Sequence, residues 1–188
     1  MPVNNVDFIK KYKNGCSTFI ETGTFQGDTV QLALDAGFET IRSVELNANN
    51  YKKCRVRFRD QKDKVRLYHG HSEHMFWDMI KEFNDPLMFW LDSHYSGCGD
   101  TYETSLGNTY SSLKFELKTL AKHPVKNHII MIDDVRDFNT INMDFITREV
   151  VVKMVLDINP NYLIVYDTGD NTSELFKNDV LIAIPPID

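Results

Sequence analysis

Three aspartates and a histidine stand where two continuously apolar runs stop: LMFWLD ends on Asp92 with His94 two residues further on, and IIMIDD ends on Asp133 and Asp134. An imidazole titrates near neutral pH and could take a proton from a hydroxyl group, so His94 is the candidate general base and, with Asp92, the candidate catalytic pair. Carboxylates that converge at one rim repel each other unless something neutralises them. A hard divalent cation such as Mg²⁺ or Mn²⁺ would do so through oxygen ligands, which makes Asp92, Asp133 and Asp134 the candidate metal set. The competing assignment is local: Asp134 caps the loop, Asp133 accepts from backbone amides, and no metal binds. Cys98, in YSGCGD, has no partner signature for a cysteine nucleophile and reads as incidental.

A second set lies earlier, in ETGTFQGDT. Gly23 and Gly27 let the backbone turn tightly and approach a ligand before a helix opens near Asp28. Glu45 follows Gly27 by 45 − 27 = 18 residues. A carboxylate at about 20 residues from such a turn suits both hydroxyls of a ribose. Each feature has a plainer counterpart, a βα turn with a capping Asp in the first case and a carboxylate at a helix N-terminus in the second.

The elements that must position these residues alternate. Seven short β-rich runs, Ser17–Thr22, Thr40–Leu46, Val65–Gly70, Pro86–Asp92, His128–Asp134, Tyr162–Thr168 and Asp179–Pro185, are separated by helical spacing over Gln26–Ala36, Asn47–Gln61, Ser72–Phe83, Thr109–Lys122 and Asn142–Ile158. Asp28 and Ser72 occupy N-cap places, and Gly37 a helix stop. The alternation predicts an α/β fold: a Rossmann-like, doubly wound, seven-stranded sheet with helices on both faces. The linker DTGDNTSELFKND has no room for a crossover helix, so the last two strands form an antiparallel hairpin on an otherwise parallel sheet. In such sheets ligands bind beyond the carboxyl ends of the strands, where Glu21, Glu45, Gly70, Asp92, Asp133 and Asp134 fall. The long irregular stretch 93–108 is a rim loop.

At 188 residues the chain suits one domain, and its 42% hydrophobic and 26% charged content is that of a globular protein. The net charge of −6 argues against nucleic acid as a partner. The run Lys52, Lys53, Arg55, Arg57 and Arg59 reads as the solvated face of a helix. Three cysteines are too few and too scattered for a disulfide framework or zinc site. Residues 1–15 form an amphipathic lead-in helix without an apolar signal core, so the expected setting is cytoplasmic, with no membrane.

The ordered series FIETGTFQGDT, SVEL, VRLYHGHS, MFWLDSHYSG and IIMIDDVRDF resembles the motifs of class I S-adenosylmethionine-dependent methyltransferases, over roughly Cys16 to Phe138. The closing hairpin fits that family and is absent from dinucleotide-binding dehydrogenases. The resemblance implies that Glu21, Gly23, Thr24 and Gly27 line the methionine and ribose portion of the cofactor, with Asp28 and Thr29 nearby. It implies that Glu45 holds the ribose, that Gly70, His71 and Ser72 border the adenine, and that Asp92 faces the methionine amino group or a metal. Two positions depart from the pattern. Phe25 stands where a middle glycine is usual, so the turn must be wider or differently folded, and His71 replaces an acidic residue.

The acidic rim is similar to that of metal-dependent O-methyltransferases of the catechol and macrocin-sugar types. That likeness implies a hydroxyl of a sugar, glycan or other small polyhydroxy molecule as acceptor, met by Asp100, Tyr102, Glu103, Tyr110 and Arg136. So short a chain has little material for a lid, which leaves a second subunit to complete the pocket. The rivals are a nicotinamide-dependent oxidoreductase, disfavoured by G-x-x-x-G in place of G-x-G-x-x-G, and a non-catalytic binding module on the same fold. LDSHYS stands where an amino-methylating enzyme would carry an N/D-P-P-Y/F motif, which favours oxygen over nitrogen.

Overall fold

All seven apolar runs become strands: β1 (Thr18–Thr22), β2 (Thr40–Glu45), β3 (Val65–His69), β4 (Met88–Leu91), β5 (Ile129–Ile132), β6 (Leu163–Asp167) and β7 (Val180–Ile184). The structure is a computed structural model that describes residues 5–97, 104–169 and 173–186. The strands form one sheet in the order β3-β2-β1-β4-β5-β7-β6. β1 to β5 pair in parallel, whereas β7 runs antiparallel to both β5 and β6, as the short linker requires. Strand order reverses between β1 and β4, whose registers bring Thr22 beside both Val44 and Leu91. The crevice at such a reversal is where open α/β sheets take ligands.

Alternation along the strands splits the core in two. Ile20, Val44, Phe89, Leu91, Ile130 and Ile132 face one side, under α4 (Ser72–Ile80), α5 (Leu113–Leu120) and α6 (Arg148–Ile158). Phe19, Ile41, Met88, Trp90, Ile129 and Met131 face the other, under α1 (Val6–Tyr12), α2 (Asp28–Asp35) and α3 (Ala48–Arg57). β4 and β5 are buried throughout, which is why their sequences show no polar alternation. No helix of the described residues is long and apolar enough to cross a membrane.

Helix starts differ from expectation at four places. The cap of α2 is Gly27, at φ 84°, while Asp28 begins the helix and pairs with Arg57 at 2.6 Å. The cap of α4 is His71, whose ring accepts from the Glu73 amide, because the Ser72 hydroxyl is turned towards the core. α5 begins at Leu113 rather than Thr109, since residues 110–112 pair back onto 93–95. α6 begins at Arg148, capped by Thr147, because Asp144 and Phe145 take left-handed φ values of 48° and 54° that no helix continues through. Gly37 stops α2 at φ 76°, as its position suggests.

Two fully buried histidines tie the amino ends of β4 and β5 to α4 and α5. The Leu87 amide donates to His128 Nδ1 (3.1 Å), which leaves His128 Nε2–H to donate to His123 Nδ1 (3.1 Å) and His123 Nε2–H to donate to the Ile80 carbonyl (3.2 Å). Burial, then the neighbouring His123 and Lys126, push the His128 pKa from 6.5 down to about 3. As pH falls through this window the unfolded chain takes up a proton that the folded chain refuses. Stability should therefore drop by ~1.4 kcal/mol per pH unit from this site as pH falls below 6.5. Urea unfolding between pH 7 and about pH 4 checks this: His128→Gln should be weaker at neutral pH but show a flatter pH slope, and an unchanged slope would show that the site contributes nothing.

Candidate active site

A cavity of about 400 Å³ opens beyond the carboxyl ends of β1, β2, β3, β4 and β5, a size typical of small-molecule sites. It gathers most of the residues singled out by sequence. Gly23, Thr24, Asp28, Thr29, Glu45, Gly70, His71, Ser72, Asp92, His94, Asp133 and Asp134 line it, as do Tyr110 and Arg136. Glu21 and Gly27 do not. Glu21 lies buried behind the wall, accepting from the Ser43 hydroxyl at 2.5 Å, and Gly27 packs on Phe58 and Cys54 at the start of α2. Cys98, Asp100, Tyr102 and Glu103 lie outside the described residues. Cys16 and Cys54 are free and buried. Lys52, Lys53, Arg55, Arg57 and Arg59 are exposed along α3 and the turn after it.

The turn after β1 is folded by its unusual residue. Phe25 takes φ 49°, the left-handed conformation that a glycine would supply. Its amide then donates to Glu45 Oε2 at 2.7 Å, while the Asn47 amide donates to Oε1 at 2.7 Å. The Glu45 carboxylate is thus fixed at the end of β2 by two backbone donors, with lone pairs left over for a ligand. Burial raises its pKa and these amides pull it back. Glu45→Gln would set a side-chain NH₂ against one of the amide donors. That variant should lose about 1–3 kcal/mol of stability, read by denaturant unfolding; a wild-type midpoint would mean that the turn does not depend on the carboxylate.

Gly23 lies against β4. An added Cβ would stand 2.5 Å from the Asp92 carbonyl oxygen, and Gly23 is at φ 86°. Gly107 packs closer still, against the His71 ring, where an added Cβ would overlap Nε2. His71 so joins the start of α4 to the rim segment, where the Asn108 amide is 3.3 Å from Nε2.

The acidic rim resolves into two overlapping groups. Asp92, His94 and Asp134 form one, and Asp133, Asp134 and Asp179 the other, each with potential ligand atoms within 4.8 Å of one another. The expected triad of Asp92, Asp133 and Asp134 is therefore divided. Asp133 is drawn inward, with Oδ1 accepting the Asp134 amide at 2.8 Å, the backbone role that was its alternative. His94 bridges the first group, with Nδ1 3.3 Å from Asp92 Oδ1 and Nε2 3.3 Å from Asp134 Oδ2. Burial pulls the His94 pKa down, but the flanking carboxylates of Asp92 and Asp134 outweigh it and hold the ring at about 9. The two carboxylates thus favour the protonated ring over the free base expected of a solvated imidazole. Arg136 neutralises the second group, meeting Asp134 at 2.5 Å and also pairing with Asp179, its guanidinium stacked over Phe176.

Burial also raises Glu21, to about 8, with the Ser43 hydroxyl opposing the shift and nearby Asp92 and Glu45 adding to it. Asp133 stands well above the carboxylate range for want of solvent and beside Asp92 and Asp134. The donor chemistry of Asp92, His94 and Asp134 fits a hard divalent ion, with the His94 proton and Arg136 as its competitors. Asp179, Asn142 and Phe176 carry no local signal in the sequence, whereas Ser93 opens the rim loop 93–108. They reach this end of the sheet through the chain's return in β7 and the segments flanking β4, β5 and β7.

No protein-family model and no curated protein sequence matches the chain. Solved structures do. A protein assigned as an rRNA methylase from Clostridium thermocellum superposes with a TM-score of 0.62 at 16% identity, covering 97% of this chain and 95% of that one. One assigned as a caffeoyl-CoA O-methyltransferase from Staphylococcus aureus gives 0.60 at 17%, over 96% and 82%. The geranyl diphosphate C-methyltransferase of Streptomyces coelicolor A3(2), solved with Mg²⁺, geranyl diphosphate and S-adenosyl-L-homocysteine, gives 0.59 at 12%, over 97% and 79%. The strand order, the antiparallel β7 and these superpositions together show that the chain has the fold of the class I S-adenosylmethionine-dependent methyltransferases.

Proposed function

We propose that the chain is an S-adenosylmethionine-dependent O-methyltransferase acting on a hydroxyl of a sugar, glycan or other small polyhydroxy molecule, with a divalent ion assisting. The observation that carries this is the single cavity wall built from Gly23, Glu45, Gly70–Ser72 and Asp92, on four neighbouring strand ends of this fold.

When bound, the cofactor supplies a methyl group on a sulfonium centre. The chain holds it with the Glu45 carboxylate on the ribose, Gly70, His71 and Ser72 beside the base, and Asp92 towards the ammonium group. Buried carboxylates around the crevice favour a ligand carrying positive charge. Asp92, His94 and Asp134 would hold the metal, whose contribution is Lewis acidity toward the acceptor oxygen. Arg136 and Tyr110 present donors at the mouth for a polyhydroxy acceptor. Direct displacement asks the protein chiefly to align two reactants, so no covalent nucleophile is needed.

The test is release of S-adenosylhomocysteine from the methyl donor with a panel of sugar and polyol acceptors, with and without Mg²⁺ or Mn²⁺. Turnover on at least one acceptor, lowered by Asp134→Ala about a hundredfold, is the expected result. Folded protein that binds the donor yet turns over no acceptor would leave a binding module instead.

A further inference from the structure

The basic run on α3 and in the turn after it has no part in the cavity. Residues 52–64 carry seven Lys and Arg against Asp60 and Asp63, a local charge of 7 − 2 = +5 in a chain of −6 overall. All seven cations are exposed. Arg57 pairs with Asp28 and Arg59 with Asp60, while the other five make no ion pair among the described residues. Salt screens exposed charges beyond about 8 Å at physiological strength. The acidic remainder of the chain therefore does not cancel this patch at its own surface.

The patch is also ordered. Asn50, Cys54 and Phe58 are buried and fix the inner side of this segment. Tyr51 faces β3, where its ring stacks on His69 with centroids 4.8 Å apart and planes 19° apart. Arg55, one helical turn further on, shares that flank and stands 5.8 Å from the Tyr51 ring centroid. Lys52 lies beside them, and Arg59, Lys62 and Lys64 follow in the turn that leads into β3. β3 is an edge strand, about 17 Å long at the usual rise per residue. Its last residue, His69, is exposed and directly precedes Gly70 in the cavity wall. A row of cations thus follows the sheet edge and finishes in an aromatic stack at the rim.

Phosphates repeated along a chain and flat bases are the ligand features that such a surface matches. We propose that the edge formed by α3 and β3 binds single-stranded nucleic acid, with Lys52, Arg55, Arg59, Lys62 and Lys64 neutralising phosphates and a base stacking on the Tyr51 and His69 rings. These contacts reach backbone and ring faces only, so binding is independent of base sequence. A membrane surface fits less well, because α3 buries its apolar side in the core and leaves Val56 as its one exposed large aliphatic side chain. A flat ring stack likewise favours planar bases over the puckered rings of an acidic glycan. The net charge of the whole chain conceals this local surface, and the inference stands independently of the methyl-donor assignment.

The experiment is fluorescence anisotropy of labelled oligouridylate and oligothymidylate with the intact chain. At least one should bind at micromolar strength in low salt, and the ratio of the two says which sugar the strand carries. The slope of log K against log salt should be about −2 to −3.5, as roughly three to five phosphate contacts to a single strand require. Lys52→Glu/Arg55→Glu should weaken binding about thirtyfold or more, whereas Lys118→Glu/Lys122→Glu, the same charge change near α5, should stay within about threefold of wild type. His69→Ala should weaken the oligonucleotide about tenfold through lost stacking and leave heparin binding unchanged. If Lys52→Glu/Arg55→Glu fails to fold by circular dichroism, Lys62→Glu/Lys64→Glu decides, with the same expected loss. Wild type that binds neither oligonucleotide, or equal losses in the two charge-reversed surfaces, overturns the proposal. So does a wild type that binds heparin or phosphatidylserine vesicles in preference to both strands.

Discussion

Gly23→Ala should abolish ligand binding and destabilise the fold more than any other single methyl group added near the site. The methyl would lie 2.5 Å from the Asp92 carbonyl oxygen, a backbone atom that cannot rotate away, and the φ of 86° is strained for any residue with a Cβ. Left-handed backbone alone accounts for about 1–2 kcal/mol. Moving β1 away from β4 to relieve the clash disturbs Asp92, which the same strand end positions. We expect a loss of about 3 kcal/mol or more in urea unfolding and at least a hundredfold loss in affinity for S-adenosylhomocysteine. Wild-type stability and affinity in this variant would mean that the end of β1 is not closed on β4 as described.

Arg136→Met should have the next largest effect, and for an electrostatic reason. Asp134 and Asp179 are both buried, and Arg136 pairs with each of them. Removing the guanidinium while leaving two buried carboxylates strands their charge, which in comparable settings destabilises by roughly 3–5 kcal/mol. The loss should be smaller in acid, where the Asp179 carboxyl, raised by burial, takes up a proton. Millimolar Mg²⁺ should also return part of the lost stability, because an ion held by Asp134 would replace the missing cation. Denaturant midpoints with and without Mg²⁺ measure both effects. No Mg²⁺ response in either the variant or the wild type would remove the metal from the proposed chemistry.

Much of this architecture is legible because it depends on local pattern. Continuous apolar runs such as LMFWLD announce strands buried on both faces, and the polar linker before β7 is too short for a helix, so the hairpin follows. The positions of Glu45 and Asp92 were readable for the same reason: a residue at the end of a strand is carried to the rim whatever surrounds it. Helix starts were less legible, because tertiary partners decide them. Ser72 looks like a cap, but its hydroxyl finds Glu116, 44 residues away. Glu116 itself sits in LKFELKTL, where a lone glutamate gives no sign that it faces inward. Phe25 signalled a departure at the turn after β1, and its left-handed backbone explains how the turn closes without the usual glycine.

The upward shift of the His94 pKa was likewise invisible, since it depends on Asp92 and Asp134 converging from separate strands. Glu21 looked like a wall residue because it ends β1. The side-chain alternation of the strand instead points it at Ser43, behind the cavity.

The most direct test is a calorimetric titration of the wild-type chain with S-adenosylhomocysteine, set beside NAD and repeated on Glu45→Ala. Single-site binding of S-adenosylhomocysteine at micromolar strength, weakened about tenfold or more in Glu45→Ala, with no comparable heat from NAD, is the result that a methyl-donor crevice across β1, β2, β3 and β4 requires. Folded protein that ignores S-adenosylhomocysteine at millimolar concentration, or that prefers NAD, would contradict it.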